Sequence, residues 1–141
     1  MNILACLTPK SGVDYITDDA TLFKTLQVMQ KHNHSAIPVI NKKGRYIGTV
    51  TARDILGCIS ENFNLSLKNS AKFPIQNVKR TKDYKAIGVH TPLEYLIDIA
   101  MDQNFVPVVD DDDNFIGILT RKEILIWMHE QYNIEHPKGG K

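Results

Sequence analysis

Long apolar runs, paired cysteines and a surplus of either charge are all missing from this 141-residue chain. No stretch approaches the roughly 20 consecutive apolar residues of a transmembrane helix. The opening Met1-Asn-Ile-Leu-Ala-Cys-Leu-Thr-Pro9 is apolar but short and has no basic start, so neither a membrane span nor an export signal is expected. Cys6 and Cys58 are too few for a disulfide framework and too far apart for a Cys-x-x-Cys site. Two thiols without an export signal fit a reducing cytoplasm, the expected location. A net charge of +1 gives no overall pull toward nucleic acid or an anionic membrane. Gly-x-x-x-x-Gly-Lys-Ser/Thr, Gly-x-Ser-x-Gly and His-Glu-x-x-His are absent, and no nucleophile is spaced to meet a base, so the expectation is a non-enzyme.

Metal binding is not expected either. His32 and His34 lie two residues apart, which on a helix sends them to different faces, and no third ligand is near in sequence. Asp110–Asp113 imitates a calcium loop, yet the register puts Phe115 where the turn glycine belongs and Arg121 where the bidentate glutamate belongs. A charged hairpin tip is the better reading.

What the chain has is a repeat. Ile37-Pro-Val-Ile-Asn-Lys-Lys-Gly-Arg-Tyr-Ile-Gly-Thr-Val-Thr-Ala-Arg-Asp-Ile-Leu56 returns 69 residues later as Val106-Pro-Val-Val-Asp-Asp-Asp-Asp-Asn-Phe-Ile-Gly-Ile-Leu-Thr-Arg-Lys-Glu-Ile-Leu125. Seven of the twenty aligned positions are identical, and most of the others exchange like for like, which marks a duplicated unit. Half of this chain is near the lower limit for burying a core of its own, so the copies should pack on each other.

Each copy reads as strand, helix, strand, strand, helix. In the first, Val13–Ile16 alternates like a short strand, and Thr17–Asp19 offers caps for a helix running to about Asn33 with Leu22, Leu26 and Met29 inward. A hairpin turns at Asn41–Gly44, and a helix begins near Thr51 carrying Ile55, Leu56 and Ile59. In the second, Ala86–Val89 is the strand and 92–103 the helix, with Pro92 at its first position. A hairpin follows at Asp110–Asn114 and a last helix at 121–132. The division expected is 1–62 for the first repeat, 63–77 as an irregular connection, 78–132 for the second repeat and 133–141 as a flexible tail. Trp127 shares its helix with Ile124, Leu125 and Met128, so that helix should be buried on two faces. This is expected to be a homodimer contact, with burial within one subunit as the alternative.

A doubled x-Pro-Val-Val/Ile followed by Gly-x-x-Thr-x-x-Asp/Glu ahead of a helix resembles the cystathionine-β-synthase (CBS) domain. Two in one chain resemble a CBS pair, or Bateman module, over about residues 7 to 130. The resemblance implies an α/β (α+β) fold of tandem domains packed pseudo-symmetrically sheet to sheet. It also implies regulatory binding of an adenosyl ligand such as AMP, ADP, ATP, S-adenosylmethionine or cyclic di-AMP, with a protein effector as partner.

Physically, a helix that starts at Thr51 or Thr120 offers unpaired N–H groups to an anion, and a carboxylate one turn later can accept ribose hydroxyls. Thr-x-x-Asp/Glu is equally a capping box, and the spacing alone favours the cap. The resemblance shifts the balance toward a ligand, most for Asp54; Glu123 departs from the family's aspartate. CBS pairs build each cleft from both halves, which implies two crossed sites. One would join Val13, Asp14, Tyr15, His34, Ser35, Ala36 and Ile37 to Thr120, Arg121 and Glu123. The other would join Ala86, Ile87, Asn104, Phe105 and Val106 to Thr51, Arg53 and Asp54. Lys79, Arg80, Lys82 and Lys85 stand where phosphates would reach, or form a solvated loop. The reading favoured is a non-enzymatic mononucleotide sensor, with a cyclic di-AMP receptor and an interaction module with vestigial clefts as the alternatives.

Overall fold

A computed structural model describes residues 1–62 and 64–138. The apolar alternation of the two motifs becomes two hairpins that fold alike. In the first repeat, β2 (Ile16–Thr17) pairs in parallel with β3 (Ala36–Ile40), which pairs antiparallel with β4 (Tyr46–Thr51). In the second, β5 (Ile87–Gly88), β6 (Phe105–Val109) and β7 (Phe115–Thr120) repeat the arrangement. Pro38 sits opposite Thr49 and Pro107 opposite Ile118, and both hairpins shift register at the same place, after Val39 and after Val108. Both tips are closed by one side chain. Asn41 Oδ1 accepts from the N–H groups of Lys43 and Arg45, and Asp110 Oδ1 from those of Asp112 and Asn114. Gly44 takes the left-handed conformation in the first turn and Asp113 in the second.

Helices α2 (Leu22–Lys31) and α3 (Ala52–Glu61) cover the first sheet, and α4 (Leu93–Asp102) and α5 (Arg121–Glu135) the second. Each repeat has its own core, around Ile37, Val39 and Val50 in one and Val106, Val108 and Leu119 in the other. The sheets meet through Ala36, Tyr84, Phe105 and Ile118. The hairpin tips also touch, with Phe115 N–H donating to Gly44 O at 2.9 Å.

The N-terminal end of the chain crosses over to the second repeat. Helix α1 (Ile3–Cys6) places Ile3 in the second core, and β1 (Thr8–Pro9) adds an antiparallel edge to β7. The segment expected as an irregular connection packs on the first core through Leu65, Phe73 and Ile75, with Val78 beside them. It is also tied to α2's start, because Leu22 N–H donates to Phe73 O and Ile75 N–H to Ala20 O. That tether moves the helix's cap. Thr21 is the N-cap of α2, accepting from Lys24 N–H at 3.1 Å, whereas Thr17 bonds Asp19 in the turn before it. Pro92 is the N-cap of α4, so that helix begins one residue later than expected, and α5 runs three residues beyond 132. Leu56 and Ile59 of α3 point outward, with Ile55 and Cys58 taking the core. The rest of the expected tail includes Gly139–Lys141, which lie outside the described residues.

Candidate functional site

Part of the first expected set, Val13, Asp14, His34, Ala36 and Thr120, lines one cavity between the repeats. This cavity of about 360 Å³ is lined from the first repeat by Val13, Asp14, His34, Ala36 and Pro38 and from the second by Phe105, Ile118 and Thr120, with Thr8, Gly12 and His32 completing the lining. Its floor is apolar because β3 and β7 turn Ala36, Pro38 and Ile118 to the side where the sheets meet. Its polar groups stand at the rim. Thr120 is the N-cap of α5, its hydroxyl accepting from Glu123 N–H at 3.1 Å. The cap is one-sided: among the described residues the Glu123 carboxylate makes no hydrogen bond or ion pair.

Several expected residues stand elsewhere. Ile37 is fully buried in the first core. Ser35 is exposed and accepts from Asn104 Nδ2 at 3.2 Å, which bridges the two repeats. Tyr15 turns to Phe115, rings 6.2 Å apart. Arg121, expected to grip phosphate, donates instead to Ala100 O and Gln103 O, each at 2.9 Å. It thereby satisfies carbonyls at the C-terminus of α4, a position that favours a cation.

The second expected cleft is filled by the chain itself. At α3 the capping box is complete: Thr51 Oγ1 accepts from Asp54 N–H, and Asp54 Oδ2 from Thr51 N–H. Asp54 Oδ1 accepts from both the N–H and the hydroxyl of Thr81, at 3.0 and 2.8 Å. The carboxylate is 3% exposed. Burial alone would push its pKa up; the Thr51 and Thr81 donors outweigh that and hold it below the ordinary carboxylate value. The residues after Thr81 complete the seal. Asp83 accepts from Arg80 Nε and from Thr49 N–H, and the Tyr46 hydroxyl donates to Tyr84 O at 2.7 Å. Gly48 makes room, since a Cβ there would lie 2.6 Å from Arg80 Nε and Asp83 Oδ1. Tyr84 then fills the space against Phe105, ring centroids 5.0 Å apart. Of the other residues assigned to this cleft, Ile87 and Val106 are core, Arg53 is exposed and Ala86 half-buried. In the basic run, Arg80 pairs with Asp83 and Lys82 donates to Asp102 O. Lys79 and Lys85 remain exposed.

The expectation that His32 and His34 diverge does not hold, because neither is inside the helix. Asp14, the third partner, comes from a loop 18 residues earlier. Both rings meet its Oδ2, His32 Nδ1 at 2.5 Å and His34 Nε2 at 2.8 Å. These hydrogen bonds, His32's first, hold the Asp14 carboxyl below its ordinary range. Sequence reasoning also passed over Thr8, Gly12, Pro38 and Ile118. The last two were within reach, since Pro38 shares a strand face with Ala36 and Ile118 with Thr120.

Two pseudo-symmetric halves, each a parallel strand pair closed by a hairpin and covered by two helices, with a notch formed jointly, define a tandem-repeat α/β fold. The CBS domain family model matches residues 7–61 and 75–130. The chain belongs to the CBS domain family. An uncharacterized Methanocaldococcus jannaschii protein is 28% identical, the match covering 78% of this chain and 82% of that one. The crystal structure of CbpB in complex with c-di-AMP superposes with a TM-score of 0.82 at 26% identity, over 96% of this chain and 89% of that one. CBSX2, solved with AMP, matches in fold with a TM-score of 0.73 at 18% identity, over 93% and 98%.

Proposed function

We infer that this chain is a non-enzymatic sensor that binds one adenine nucleotide in the first cleft and passes the signal to a protein partner. The observation that carries the reading is the crossed cavity of about 360 Å³, within the size range of small-ligand sites. Val13, Ala36, Pro38, Phe105 and Ile118 offer flat apolar contact to a base. Thr120 offers a hydroxyl and the start of α5 a positive dipole end to a phosphate. The free Glu123 carboxylate, one turn on, is the acceptor available to sugar hydroxyls. A ligand there touches both repeats, so it favours whichever disposition of the halves it binds better, and that difference in affinity is the signal.

Cyclic di-AMP is the second reading, favoured by the likeness to CbpB, which was solved with that dinucleotide. The closed second cleft favours a third, an interaction module, for that half of the molecule alone. Calorimetry with AMP, ATP and cyclic di-AMP separates them. The sensor reading expects one equivalent of ligand per chain, with binding lost in Thr120→Val combined with Phe105→Ala. No heat with any of the three refutes it.

The same reading places the partner surface on the outer helix faces. Leu125, Ile126, Met128 and Tyr132 of α5 are exposed, as are Met101 of α4 and Leu56 of α3. A run of this kind suits a second copy of the chain. A cytoplasmic location accords with the two free thiols and with the lack, among the described residues, of any helix long and apolar enough to cross a membrane.

A further inference from the structure

Three donor atoms from separate places in the chain converge at the rim of the first cleft. Asp14 Oδ2, His32 Nδ1 and His34 Nε2 all lie within 4.8 Å of one another. Core packing does not impose this, since the side chains of Asp14, His34 and His32 are 33%, 38% and 54% exposed. The cause is the way α2 ends. His34 N–H donates to Met29 O at 2.8 Å, Asn33 N–H donates to Gln30 O, and Asn33 takes the left-handed conformation. This is a Schellman stop with asparagine at its turning position. It swings His34 back beside His32, so residues two apart face one carboxylate. The second repeat passes from α4 to β6 through two residues, 103 and 104, where the first uses four, 32–35. The extra length carries the histidine turn, and Gln103, the counterpart of His34, is spent on the backbone of Lys85 and Phe105.

We propose that Asp14, His32 and His34 bind a divalent transition-metal ion, with Zn²⁺ as the type, whose remaining coordination positions face the first cleft. Two imidazole nitrogens and one carboxylate oxygen are a three-ligand set that leaves a position open. Imidazoles select zinc, nickel or copper over magnesium and calcium, which take oxygens. Ligands on a four-coordinate ion stand roughly 3.3 Å apart, given bonds of about 2.0–2.2 Å. The present contacts of 2.5 and 2.8 Å to Asp14 open to that spacing by small rotations of exposed rings. Each ring nitrogen that faces Asp14 must then give up its proton, by tautomer shift in a neutral ring or to solvent from a charged one. Binding therefore weakens in acid. The ion would reverse the local charge, turning an anionic rim into a cationic one.

The site is complete within the chain and its test needs no nucleotide. Metal-stripped protein is titrated with Zn²⁺ alone by calorimetry, beside His32→Ala/His34→Ala and, as a control, His90→Ala. The proposal expects the wild type and the control to bind one more Zn²⁺ per chain than the double variant. Either single histidine variant should weaken that ion by at least the roughly 10–100-fold typical of losing an outer-shell partner. Excess Mg²⁺ should not displace it, and Co²⁺ should give visible absorption bands that the double variant lacks. Equal Zn²⁺ stoichiometry and affinity in the wild type and the double variant overturn the proposal. So does displacement by Mg²⁺. Nucleotide binding by the metal-stripped chain is measured separately, so either reading can fail without the other.

Discussion

Replacing Asp54 with alanine tests whether the second cleft is closed as described. The substitution removes three hydrogen bonds that end on a carboxylate 3% exposed, from Thr51 N–H, Thr81 N–H and Thr81 Oγ1. Half of a capping box contributes about 1 kcal/mol. The two bonds from Thr81 run from a separate segment to a charged acceptor, a type worth about 1.5–3 kcal/mol each. They share one oxygen and one residue, so simple addition overstates them, and the total should be about 3–5 kcal/mol. At about 3 °C per kcal/mol for a chain near this length, melting falls by roughly 10–15 °C. Urea unfolding gives the free energy directly, as a lower midpoint at unchanged slope. Thr81→Val, which removes the hydroxyl alone, should cost about 1 kcal/mol and should not add fully to Asp54→Ala. The pH dependence has a definite sign. Asp54's folded pKa is depressed, so its contribution is present above the unfolded carboxylate value of about 3.9 and is lost as pH falls through the folded value. The wild type should therefore lose its advantage over Asp54→Ala only below about pH 4. A stability change under about 1 kcal/mol would mean that residues 80–84 are not held by this carboxylate, and the closed second cleft would have to be given up.

Gly117→Ala puts a Cβ 2.1 Å from Thr8 O, so β1 must leave the edge of β7. We expect a loss of about 1–3 kcal/mol in urea, with amide exchange at Thr8 rising more than in the first repeat. If α5 forms the proposed contact between two copies, Leu125→Glu, or Met128→Glu, which charges its exposed apolar face, should convert a dimer to a monomer in sedimentation velocity without lowering the monomer's stability. An unchanged sedimentation coefficient would remove α5 from the interface.

The repeat was legible because it is written in residues that act locally. Pro38 and Pro107 set the strand before each hairpin, glycine or an Asx side chain closes each turn, and threonine caps each following helix. These signals need no knowledge of distant partners. What the sequence hid was decided by segments arriving from elsewhere. Thr51-x-x-Asp54 and Thr120-x-x-Glu123 look equivalent in isolation, yet only the first receives Thr81. Arg121 reads as a phosphate ligand until the C-terminus of α4 is seen beside it. His32 and His34 diverge on an unbroken helix and converge once Asn33 reverses the chain. Ile3 belongs to the opposite repeat because β1 finds its edge on β7, which no local pattern announces.

The unequal fates of the two notches follow from what fills each position of the duplication. Each repeat's second hairpin strand carries a glycine, Gly48 or Gly117, against which another segment of the chain lies. At Gly117 the visitor is β1, a plain edge strand that stops at Pro9 and leaves Thr120 at the rim of an open cavity. At Gly48 the visitor is Arg80–Tyr84, which brings a hydroxyl for Asp54, a carboxylate for Thr49 and an aromatic ring for the space between the sheets. These side chains occupy the space between Asp54, Gly48 and the facing sheet. The second notch thus holds the halves together with groups of the chain's own, while the first keeps the same opportunity for a ligand. If that is the design, deleting the occupant should open a second site: Tyr84→Ala with Thr81→Gly should raise nucleotide stoichiometry from one per chain toward two as stability falls. A stoichiometry that stays at one in a folded double variant would mean that the second notch lost its ligand chemistry altogether, and did not merely fill its own space.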